Sequence, residues 1–91
     1  MTHTVREKAK LINRVRRLRG QVEGLERMLE EEKSHTDVMQ LIAGIRGAMN
    51  GLMNEVIEDH IRFHLQAADL PQSERDEGAA ELIDIVRAYL K

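Results

Sequence analysis

The chain has 91 residues and a formal net charge of −2, enough for one domain of amphipathic helices but too little for such helices to close a thick core alone. It holds no cysteine, which excludes disulfides, thiolate metal sites and cysteine-based redox or electrophile sensing. No apolar run approaches the roughly 18–20 residues that cross a bilayer and the N-terminus lacks the apolar stretch of a signal peptide, so a cytoplasmic protein with no membrane partner is expected.

Leu, Ile, Met, Glu, Arg and Ala are abundant, Pro71 is the sole proline, and Phe63 and Tyr89 are the only aromatics besides histidine, so an all-α chain is expected. The first helix is predicted over about 5–32, where Leu11, Val15, Leu18, Val22, Leu25 and Leu29 recur in alternating steps of four and three. Gly20 and Gly24 weaken it and suggest close approach of a neighbour. The same helix opens strongly basic, with Arg6, Lys8, Lys10, Arg14, Arg16, Arg17 and Arg19 against the single acid Glu7. Lys10, Arg14 and Arg17 follow at spacings of four and three, which projects them together beside the apolar stripe, within reach of phosphates. A membrane surface fits less well, because the stripe is thin and carries no Trp or Phe. No helix-turn-helix is evident, which favours contact through a broad helical face.

Lys33 to Thr36 form a polar joint in which Ser34 or Thr36 can cap the second helix and Asp37 suits its positive end. That helix is predicted over about 36–65, with Val38, Leu41, Ile42, Ile45, Met49, Leu52, Val56 and Ile57 apolar and a slim band at Ala43, Gly44, Gly47, Ala48 and Gly51 suited to helix crossing. Arg46 beside that band either bridges helices or extends the positive surface. Leu70 to Ser73 read as a connector, with Ser73 and Asp76 as a modest capping box. A third helix over about 74–90 packs through Ala79, Leu82, Ile83, Val86 and Leu90, and Gly78 makes its first turns less secure. No repeat or second domain interrupts residues 1–91.

The four histidines, His3, His35, His60 and His64, all fall at helix ends or joints. His60 and His64 are four apart, so two imidazoles can converge on one ion and supply half a site. His35 lies at the other end of the second helix, roughly 38 Å from His60 on a straight rod, and joins the pair only from an antiparallel neighbour. His3, next to the basic helix, is the candidate fourth ligand. An all-nitrogen set suits Ni²⁺, Co²⁺ or Zn²⁺ better than Cu⁺, with Glu55, Glu58 and Asp59 as possible orienting or additional ligands.

Several runs taken together carry a resemblance: Arg17-Leu18-Arg19-Gly20-Gln21-Val22 with Leu25 and Glu26, Gln40-Leu41-Ile42-Ala43-Gly44-Ile45-Arg46-Gly47-Ala48, Asn50-Gly51-Leu52-Met53, and the closing Arg87-Ala88-Tyr89-Leu90-Lys91. Over nearly its whole length the chain resembles the CsoR/RcnR family of metal- and small-molecule-responsive repressors, closest to the nickel/cobalt-sensing and formaldehyde-sensing branches. The resemblance implies a three-helix subunit forming an antiparallel helical dimer and a disc-like dimer-of-dimers tetramer, which releases operator DNA of efflux or detoxification genes on capturing its ligand. It implies metal ligands at His3, His60 and His64 and DNA contacts at Arg14 and Arg17, with Lys10 and Arg46 in support. Where the branches place a sensing cysteine, this chain has His35, which argues against thiol chemistry and toward nickel or cobalt, with zinc possible. The competing expectation is a metal-binding storage or accessory protein without specific DNA binding. Enzymatic function is not expected, since no zinc-hydrolase motif, cysteine nucleophile, phosphate-binding glycine loop or serine triad is present.

Overall fold

The computed structural model describes residues 5–90, and all regular structure among them is helical. Three helices follow in order: α1 (Val5–Glu30), α2 (His35–His64) and α3 (Gln72–Tyr89). Contacts divide the described chain into two compact units, residues 5–53 and 54–90, with α2 contributing to both. None of the described helices is long and apolar enough to cross a membrane.

The helix ends have local causes. α1 closes two residues before the expected boundary because Glu32 adopts a left-handed backbone, φ 56°. The amide of Lys33 then reaches the Met28 carbonyl (3.0 Å) and that of Glu32 the Leu29 carbonyl (3.2 Å), the paired bonds of a Schellman stop. Ser34 is the cap of α2: its Oγ accepts the Asp37 amide at 3.2 Å, and its carbonyl accepts the Val38 amide at 3.1 Å. His35 is therefore the first helical residue.

α3 starts two residues earlier than expected, with Pro71 at the N-cap (φ −60°, ψ 149°) and no side-chain cap. Ser73 lies inside the helix, so the anticipated Ser73 cap does not form. The Pro71 carbonyl accepts the amides of Glu74 and Arg75 (3.1 and 3.0 Å), and Gln72 Nε2 donates to Asp76 Oδ1 (2.8 Å) across the first turn. The Arg75 guanidinium fastens the preceding connector by donating to the carbonyls of Ala67 (3.2 Å) and Leu70 (3.3 Å).

The apolar stripe of α1 divides into two rows about 40° apart on the helix surface. Leu18 is buried and Leu11 and Leu25 half-buried, whereas Val15, Val22 and Leu29 are 50, 50 and 60 % exposed. On the other flank of the Leu11–Leu18–Leu25 row, about 50° away, Glu7, Arg14, Gln21 and Met28 are each half-buried. Leu18 and Val38 are the buried hydrophobic residues of the described chain, and no side chain is fully enclosed.

Candidate metal centre and nucleic-acid interface

His60 and His64 meet at the C-terminal end of α2, as their four-residue spacing requires. Their ring centroids stand 4.8 Å apart with planes inclined by 26°. His60 Nε2 lies 2.8 Å from the carbonyl oxygen of Gly78 in α3. A carbonyl only accepts, so Nε2 is the donor and a neutral His60 ring presents its lone pair at Nδ1. A ligating imidazole needs this kind of hold, because the bond to the second nitrogen fixes both tautomer and ring orientation.

The hold depends on Gly78 lacking a side chain. A β-carbon there would stand 2.5 Å from the His64 carbonyl oxygen and 2.9 Å from His64 Cβ, too close for either to give way cheaply. Sequence reading sees Gly78 only as a weakness in α3. In the structure it is the buried point at which α3 meets the end of α2. A cleft of about 290 Å³ opens beside it, lined by His64, Leu70, Glu74, Glu77, Gly78 and Glu81.

Of the carboxylates considered as auxiliary ligands, Glu58 is exposed and 3.9 Å from Arg62 Nη2, while Asp59 is buried with Oδ1 3.8 Å from Arg62 Nη1. The Arg62 guanidinium thus competes for both. His35 is exposed at the opposite end of α2, and His3 lies outside the described residues. Among the described residues no group of three or more His, Asp or Glu side chains stands ready to hold a metal within one chain. The structure therefore brings together His60 and His64 and leaves His35 apart from them.

The basic line on α1 is not uniform. Lys10 and Arg17 are exposed, as are Arg6, Lys8, Arg16 and Arg19, but Arg14 is half-buried. Its Nη1 lies 2.9 Å from the point that a β-carbon on Gly51 of α2 would occupy. Arg46 is exposed on α2.

Comparison with known proteins places the chain in a family and beside a solved fold. A family described as "metal-sensitive transcriptional repressor" matches residues 7–88. Over the full length of both chains, the protein is 47 % identical to an uncharacterised protein from the bioA 5′ region of Serratia marcescens and 40 % identical to the transcriptional repressor RcnR of Salmonella paratyphi B. Among solved structures it is similar to a glutamate-to-histidine variant of the formaldehyde-responsive regulator FrmR from Salmonella enterica serovar Typhimurium, with a TM-score of 0.90 and 42 % identity. That match covers 97 % of this chain and 99 % of the other.

Proposed function

The chain belongs to the metal-sensitive transcriptional repressors of the CsoR/RcnR family, close to the RcnR and FrmR branches, and from that premise we propose that it is an operator-binding repressor released by Ni²⁺ or Co²⁺, with Zn²⁺ as a further effector. The family is regulatory and not catalytic, so metal capture has a conformational output.

The observation that carries the reading is the His60–His64 pair, with the His60 tautomer held by the Gly78 carbonyl. Neutral imidazoles are the donors that nickel, cobalt and zinc accept, and no thiolate is available to favour Cu⁺. One chain offers only half a ligand set. We assign the rest to His35 of the partner subunit in an antiparallel dimer, and to His3. A site shared between subunits reports on their mutual arrangement, which gives binding energy at the histidines a route to the basic face carrying Lys10, Arg14, Arg17 and Arg46. Operator DNA is the partner of that face, in a dimer that pairs into a homotetramer.

The test is titration of DNA from the protein's own upstream region with the metal-free protein, then with Ni²⁺, Co²⁺ and Zn²⁺ in turn. Metal should weaken binding by about 5- to 150-fold, the usual span of such coupling. His60→Ala should keep the metal-free affinity and lose the metal response. Metal binding with no DNA affinity in either state would instead support a storage or accessory protein.

A further inference from the structure

We propose that Gly51 is a positioning residue for DNA binding: by carrying no side chain it leaves a seat on α2 in which the Arg14 guanidinium is held before DNA arrives. The inference rests on the operator-binding reading above and gives the Asn50-Gly51-Leu52-Met53 run a role that neither helix packing nor metal capture supplies.

Three observations converge on it. Arg14 is half-buried on α1, while Lys10 and Arg17, its neighbours on the basic line, are exposed. Its Nη1 comes within 2.9 Å of where a Gly51 β-carbon would stand, so any other residue at 51 displaces it. The two glycines one and two turns earlier in α2 behave differently: a β-carbon on Gly44 or Gly47 would meet nothing within 4 Å. Gly51 is thus the glycine of this band that contacts a cationic side chain of its own chain.

Arginine is long and rotamer-rich, and fixing it on a phosphate costs conformational entropy that a side chain already held does not lose again. Seating Arg14 against α2 therefore raises DNA affinity without adding a contact. The arrangement also makes the residue testable. The atom displaced by a β-carbon is the far end of a flexible side chain, and alanine is a better helix former than glycine, so Gly51→Ala retains the fold while releasing Arg14.

The experiment measures affinity of the full chain for its upstream DNA over a series of salt concentrations, for the wild type, Gly51→Ala, Arg14→Ala and the double variant. Gly51→Ala should weaken binding about two- to tenfold, the range expected when one ordered side chain is set free. Its salt slope should fall by less than that of Arg14→Ala, which loses about one unit per phosphate contact removed. In the Arg14→Ala background Gly51→Ala should add no further loss. Wild-type affinity in Gly51→Ala overturns the inference, and so does a loss that persists without Arg14, since it would then act through packing or assembly. A wild-type chain that fails to bind its upstream DNA removes the operator-binding reading itself.

Discussion

A missing methyl group decides how α3 meets α2. At Gly78 the nearest atoms to a β-carbon belong to the His64 backbone and its Cβ, which are fixed by the helix, so a larger residue must push the helices apart. Gly78→Ala should destabilise the protein by about 2 kcal/mol in a denaturant titration, overpacking outweighing the helix preference of alanine. It should also weaken metal binding about 10- to 100-fold, because the carbonyl that orients His60 moves with it. A variant that unfolds late and binds metal normally would contradict both the close approach and the orienting bond. The His60–His64 pair was legible in the sequence, since spacing alone puts two rings on one helical face. The role of Gly78 was not, because the acceptor is a backbone oxygen and every residue type supplies one.

Helix ends carry their own energetics. Glu32 sits in the left-handed region, where its β-carbon crowds the following carbonyl, at the position of a Schellman stop that glycine occupies without strain. Glu32→Gly should therefore raise stability by about 0.5–1 kcal/mol, the relief of strain exceeding the added freedom of the unfolded chain. A thermal melt moving downward would show that the Glu32 side chain holds the joint in place. The three helices themselves were readable from apolar periodicity, and the capping chemistry of the joint narrowed the cap of α2 to Ser34 or Thr36, of which Ser34 caps. The start of α3 was not, because Pro71 delivers the chain into the helix and Arg75 binds the connector carbonyls, leaving Ser73 nothing to cap. Nor did the pattern on α1 say that Val15, Val22 and Leu29 would stay outside while Arg14 turned inward: a four-three repeat cannot distinguish one broad face from two adjoining rows.

At the scale of the whole molecule, the apolar surface exceeds what one chain covers. Val15, Val22 and Leu29 on α1, Met39, Ile42 and Met49 on α2, and Ile83, Val86 and Leu90 on α3 are all exposed, while among the described residues Leu18 and Val38 are the buried hydrophobic ones. Full burial of one such side chain is worth about 1.5–3 kcal/mol, so association would supply stability that the isolated chain lacks. The melting temperature should accordingly rise with protein concentration, and sedimentation should give a multiple of the 10.5 kDa chain mass. Val22→Glu, which places a charge in the outer row of α1, tests whether that row is covered: it should shift the species toward lower mass and lower the melting temperature. A concentration-independent melt of a 10.5 kDa species would leave the exposed rows without a protein partner. The consequence reaches DNA binding. With a net charge of −2, one chain offers a basic patch on an otherwise acidic protein. The logarithm of affinity falls with the logarithm of salt concentration at a slope of roughly 0.9 per phosphate contacted, so joining copies multiplies the steepness as well as the strength of binding. The dissociated Val22→Glu form should therefore show a shallower salt dependence than the wild type, although every arginine and lysine of the basic face is retained.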